Sequence, residues 1–223
     1  MYVFGGSSSF GLMNDLFLFD PKAIAWRLVD TISPESKSSP ERRAGHSMVS
    51  VGENFYVFGG RGIAAGVLYG LNDVWRFNVV SRSWRLCVNI GTAEPVGRMH
   101  TAAAILQKKL FIYGGINPAT NVVYKDLWWF DLQTFSWGEL NGNKGVSAPG
   151  FSPPSLYKSN LISIDSECDS SYPSTVTDTL TGETSSVTDT RCGLLLFGGI
   201  GGKDLQSSLG KKNRLLLFVS KQP

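Results

Sequence analysis

Two histidines, a glycine-rich run ending in lysine, a serine triplet and three cysteines carry the most evident reactive chemistry in this chain of 223 residues. His46 and His100 could offer imidazole to a metal, but no carboxylates or thiols stand beside them at ligand spacing. Gly198-Gly199-Ile200-Gly201-Gly202-Lys203 invites a phosphate-loop reading, in which backbone amides cradle an anion. It fails, because Phe197 stands where the first glycine is needed, Asp204 follows the lysine instead of Ser or Thr, and no helical pattern follows. Ser7-Ser8-Ser9 lacks the flanking glycines of a nucleophile elbow and has no candidate base nearby. Cys168 and Cys192 flank a polar segment that a disulfide could span, whereas Cys87 reads as a small buried hydrophobe. The residues therefore predict no catalytic group, no cofactor and no metal.

The elements around these residues explain their spacing. Four segments end a hydrophobic quartet in Gly-Gly: Gly5-Gly6, Gly59-Gly60, Gly114-Gly115 and Gly198-Gly199. Their first glycines lie 54, 55 and 84 residues apart. After the first three come Asp15, Asp73 and Asp126, each followed by an aliphatic and an aromatic residue, and then Trp26, Trp84 and Trp137. Arg43-Ala44-Gly45-His46 and Gly97-Arg98-Met99-His100 precede the second and third glycine pairs. Landmarks in fixed order mark a structural repeat. Each unit reads as four short strands, a to d, rich in β-branched and aromatic residues and bounded by turn formers. Strand b is apolar on successive residues, so both of its faces must be covered. Small sheets covered on both faces and repeated every 50 or so residues describe propeller blades.

Composition agrees. Apolar residues make up 42% and charged residues 17%, enough to bury a core, and Gly supplies 25 positions. The net charge of +3 includes no basic arm for nucleic acid and no polybasic patch for a membrane. Apolar runs fall short of the roughly 20 residues a membrane helix needs. Three thiols and no Asn-x-Ser/Thr sequon favour a cytoplasmic or nuclear setting.

On Arg-x-Gly-His-Ser, aromatic-Val-Phe-Gly-Gly, Asn-Asp-Val-Trp-Arg-Phe and Ser-Trp, the chain resembles the kelch repeat family over nearly its whole length. Its style is nearer to stand-alone kelch-domain proteins than to the kelch halves of BTB ubiquitin-ligase adaptors. The resemblance implies an all-β, kelch-type β-propeller and a protein-binding role as scaffold or adaptor, such as a ubiquitin-ligase substrate receptor or a trafficking or signalling adaptor. Kelch-type enzymes also exist, including copper oxidases and iron-dependent specifier proteins. This chain shows neither a tyrosine–cysteine–histidine set nor a matching Glu/Asp/His cluster. An enzyme reading would require metal or catalytic residues outside these 223.

Blade boundaries follow: 1–30 without strand a, 43–90, 98–141, and 153–223 without strand d. Pro153, Pro154 and Ser155 stand at the fourth histidine position and Arg214 at the fourth Asp position. Three, four, four and three strands describe an arc, read as a fragment of a longer propeller whose remaining blades would be partners and whose Met1 is internal. Residues 165–191 hold six acidic side chains against one basic and almost nothing large and apolar. This segment is expected to be a disordered insertion between strands a and b. The glycine pairs should permit turns at positive φ, and each Asp should accept from b–c loop amides. Each strand-d Trp should cover the next blade, and the Arg and His residues should bond across blades. The long b–c segments (7–13, 61–71, 116–125) and d–a segments should share one face, with Arg61, Tyr69, Asn117 and Tyr124 offered to a protein partner.

Overall fold

The computed structural model describes residues 1–31, 39–140, 156–164, 174–177, 184–187, 193–201 and 215–219. It is all-β, with no helix among the described residues long and apolar enough to cross a membrane. Four antiparallel sheets follow one another along the chain as an arc of blades, with no closed ring among the described residues.

Blade 1 is three-stranded: β1 (Tyr2–Ser8), β2 (Gly11–Asp20) and β3 (Ala25–Leu28). Blade 2 runs β4 (Ser47–Val51), β5 (Asn54–Phe58), then a side hairpin of β6 (Arg61–Ala64) and β7 (Val67–Gly70), then β8 (Val74–Asn78) and β9 (Ser83–Leu86). Its sheet order is β4-β5-β8-β9. Blade 3 repeats this as β10 (Ala102–Leu106), β11 (Lys109–Tyr113), β12 (Leu127–Asp131) and β13 (Trp137–Leu140). Blade 4 pairs β14 (Leu156–Ile164) with a strand over Gly193–Gly201, which pairs in turn with one over Leu215–Val219. Between its first two strands lie β15 (Ser174–Thr177) and β16 (Thr184–Val187), so the two later strands are β17 and β18.

Three segments expected to be loops contain strand. Residues 7–13 extend the β1–β2 hairpin, with Ser7 opposite Leu12 and Ser8 opposite Gly11, past a bulge at Gly5 that realigns the register. Residues 61–70 form the β6–β7 hairpin, turned by Ala65 and Gly66 at φ 49° and 79°. Two successive positive φ values match the twist of a tight hairpin. Inside the acidic insert, β15 and β16 pair in register. Their Thr and Val content favours extended backbone. Cys168 and Cys192 lie outside the described residues.

The core lies in the seams between blades. Strand β5 is buried on both faces: Phe55 and Val57 pack toward blade 1, Tyr56 and Phe58 toward blade 3. Strand β11 repeats this, with Leu110 and Ile112 facing blade 2 and Phe111 and Tyr113 facing blade 4. This is why the quartets are apolar without alternation. The strand-d tryptophans cover the preceding blade, not the next one. Trp84 sits 4.8 Å from Phe4 of blade 1, and Trp137 sits 5.3 Å from Phe58 of blade 2. Trp26 has no preceding blade among the described residues and is 51% exposed, touching Phe19 at 5.1 Å. Strand alternation puts the indole on one sheet face, and the order of blades decides which neighbour meets it.

Candidate functional site

The residues around the loop face are positioned by a clamp that recurs in blades 2 and 3. Arg43 is fully buried; its Nη1 and Nη2 donate to Asp73 Oδ1 and Oδ2 at 2.6 and 2.8 Å. Nη1 also reaches the Gly59 carbonyl at 3.1 Å, and Nε the Glu41 carbonyl at 3.1 Å. Asp73 Oδ2 accepts in addition from Trp75 Nε1 at 2.7 Å. Arg98 reproduces every bond with Asp126 (2.5 and 2.9 Å), the Gly114 and Val96 carbonyls, and Trp128 as second donor to Asp126. Bidentate guanidinium–carboxylate pairing of this kind is among the stronger polar contacts. The strand-c Asp thus serves an arginine and an indole rather than b–c loop amides. Asp15 is exposed, and Phe17 stands where the indole would be.

The backbone of each arginine joins the blades while its side chain serves its own. Arg43 O accepts from Gly6 N at 2.8 Å, and Arg98 O from Gly60 N at 2.9 Å. Gly5 and Gly59, at φ 58° and 63°, approach those carbonyls so closely that a Cβ would lie 2.8 and 2.7 Å from them. Positive φ and this close approach together require glycine. Gly114 and Gly115 adopt the same conformation, and Gly198-Gly199 fall within β17.

The starts of strands β4, β10 and β14 line a groove of about 360 Å³. Each contributes four consecutive residues, led by His46, His100 and Lys158. Lys158 therefore occupies in blade 4 the position that His100 holds in blade 3 and Gly45 in blade 2, in place of the Pro153–Ser155 stretch expected there. His100 and Lys158 share a positive φ (57° and 55°), and Lys158 N donates to His100 O just as His100 N donates to Gly45 O. The 27-residue insert and the prolines hid this alignment in the sequence. Ser47 Oγ bonds to the Thr101 carbonyl at 2.6 Å and contacts its hydroxyl, tying two of the strands together.

Two polar atoms of the groove wall are buried without a hydrogen-bond partner, His46 Nδ1 and Ser159 Oγ. Among the described residues, no acidic side chain lines the groove. Burial, with a smaller push from the Arg43 charge, lowers the His46 imidazole from 6.5 to about 4. His100 is lowered as well, first by burial and then by the Lys158 and Arg61 charges. His46 packs edge-on against Phe4 at 5.4 Å, in the seam between blades 1 and 2. Its neutral form is therefore favoured by folding, and the associated stability is complete above about pH 6.5. It is lost as pH falls toward 4, by about 2 kcal/mol between pH 7.5 and 5. Urea midpoints at the two pH values measure this, and His46→Gln should remove most of the difference.

The four loop-face residues meet different fates. Arg61 and Tyr69 share the β6–β7 hairpin, and Asn117 and Tyr124 share the β11–β12 connection. Tyr69 donates to Glu41 Oε2 at 2.6 Å and lies against Gly62. Asn117 Oδ1 accepts from Ala119 and Thr120 amides, closing its own turn. Tyr124 covers the buried Arg98 guanidinium at 3.9 Å. Among the described residues, only the Arg61 side chain of these four makes no hydrogen bond, ion pair or ring contact. The groove residues Lys158, Ser159, Ser47 and Thr101 were not singled out by the sequence, which shows them as ordinary strand residues. No group of three or more His, Cys, Asp or Glu that could hold a metal occurs among the described residues.

Residues 1–168 match the KLHDC2/KLHL20/DRC7 Kelch-repeats domain. Kelch domain-containing protein 3 of Rattus norvegicus is 31% identical over 148 residues, which are 63% of this chain and 37% of that protein. Kelch domain-containing protein 1 of Mus musculus is 34% identical over 133 residues, 58% of this chain and 30% of the relative. Kelch domain-containing protein 10 of Rattus norvegicus is 30% identical over 149 residues, 63% and 34%. The chain spans about a third of the length of the curated relatives it matches. The matched residues carry both arginine clamps and three of the glycine pairs, and the chain belongs to the kelch-repeat family.

Proposed function

We propose that the chain is a protein-interaction module that holds a partner at the loop face and in the groove beneath it, as an adaptor or substrate receptor. One observation carries this reading: three blades converge on a groove with buried, unpaired hydrogen-bonding atoms and, among the described residues, no acidic lining. Buried polar atoms without partners are costly, and a partner's amide and carbonyl groups would satisfy His46 Nδ1 and Ser159 Oγ. Arg61 and Lys158 add cationic donors at the rim. Kelch domains in general bind proteins, and the repeat signature residues are occupied in holding the blades together.

Affinity capture with the tagged chain tests this. A set of proteins retained by the wild type should be lost with Arg61→Glu plus Lys158→Glu and kept with Arg85→Glu, an exposed position on strand β9. An identical set from both variants would remove the groove and its rim from the interaction.

A further inference from the structure

Blades 2, 3 and 4 set polar side chains at one level of the groove. Lys158 N bonds to His100 O as His100 N bonds to Gly45 O, so Gly45, His100 and Lys158 share a repeat position. The residue after each is His46, Thr101 and Ser159. Thr101 shares its hydroxyl with Ser47, whereas His46 Nδ1 and Ser159 Oγ are buried in the groove wall without a partner. Ser159 is only 7% exposed, so its unpaired hydroxyl is costly unless a ligand meets it.

Positive charge collects at the same mouth. Burial lowers the His100 imidazole, and the Lys158 and Arg61 charges lower it further, which places both cations near that ring. Among the described residues, neither Lys158 nor Arg61 makes an ion pair, and no acidic side chain lines the groove. Like charges gathered without a counterion leave a positive potential that an anion relieves. The donors rise from three different strands. A carboxylate offers two coplanar oxygens and one charge. A phosphomonoester offers three oxygens around a tetrahedral phosphorus and a charge of about −1.5 to −2 near pH 7. Two permanent cations with hydroxyls on three sides match the second.

We propose that the groove binds a phosphomonoester, carried on a phosphorylated serine or threonine of the protein partner. This rests on the interaction role proposed above and adds the chemical group that the partner bears. Lys158 and Arg61 supply the charge, in charge-assisted bonds to the phosphate oxygens. Ser159 Oγ donates its proton to one oxygen, and the Ser47–Thr101 hydroxyl pair faces another.

Ligand-observed NMR titration of the 223-residue chain with N-acetyl-phosphoserine methylamide, at constant ionic strength, tests this. The probe should bind at least about tenfold more tightly than inorganic phosphate or the matching serine and glutamate amides. Lys158→Gln and Arg61→Gln should each weaken it about tenfold, and Ser159→Ala about threefold, with far-UV circular dichroism unchanged. Arg27→Gln, whose cation pairs with Asp20 on blade 1, should leave it as in wild type. Equal binding of the serine or glutamate amide, or undiminished binding by Lys158→Gln, would overturn the proposal. Inorganic phosphate binding as well as the probe would assign the groove to a free anion and overturn the phosphoprotein ligand. Phosphatase treatment of the lysate before affinity capture should abolish retention of the partner. Retention unchanged by the phosphatase would remove the phosphate and leave the interaction role standing.

Discussion

Arg98→Ala should destabilise the chain by about 3–5 kcal/mol, the range for removing one partner of a buried ion pair. The guanidinium is 1% exposed and bonds to two backbone carbonyls as well as to Asp126. Truncation strands the Gly114 and Val96 carbonyls and leaves the carboxylate with the Trp128 indole alone. It also opens a void beneath the Tyr124 ring. Arg98→Lys should recover little of the loss, since an ammonium cannot present two parallel donors to the carboxylate while reaching both carbonyls. Arg43 and Asp73 should respond alike. Asp15→Ala, at the same repeat position but exposed, should stay within about 0.5 kcal/mol of wild type. Urea midpoints at unchanged slope measure the series, and comparable losses for Asp15 and Asp73 variants would refute the clamp as the reason for the conserved spacing within this chain.

Trp84→Ala should cost about 3–5 kcal/mol, the usual range for a large aromatic removed from a core. Its ring meets Phe4 of the preceding blade and Phe55 and Phe77 of its own, all within 5.5 Å. The loss therefore falls on a seam as well as on one sheet. Trp137→Ala should behave the same way through Phe58 and Phe130. Trp26→Ala should cost less than about 1 kcal/mol, because half of that side chain is already in water. Tyr69→Ala loses only an exposed bond to Glu41 and should also change stability little. Thermal melts of the four variants should separate into two groups, and similar midpoints for Trp26→Ala and Trp84→Ala would contradict the direction of packing.

The corrections share one origin. The Arg of each clamp lies about 30 residues in sequence from its Asp and indole, as Arg43 does from Asp73, so spacing shows that they recur but not that they meet. The histidine position of blade 4 was hidden for a related reason. A landmark search finds His46 and His100 by residue type, whereas Lys158 shares with His100 only a backbone conformation and a hydrogen-bond pattern. The β6–β7 hairpin lacks the strong apolar alternation that marks a buried strand, so its short, glycine-rich residues look like loop.

Read alone, the amino-acid order determined the repeat, the four-strand blade, the strand order within blades 2 and 3 and the need to cover both faces of strand b. These follow from short-range signals: period-two side chains, apolar quartets and glycines that admit positive φ. Only the tertiary structure decided that each strand-d tryptophan packs backward, that each strand-c aspartate answers a buried arginine, and that Lys158 joins the two histidines around one groove. Those outcomes depend on how one twisted sheet lies against the next, and the contacts that set that arrangement join residues tens of positions apart.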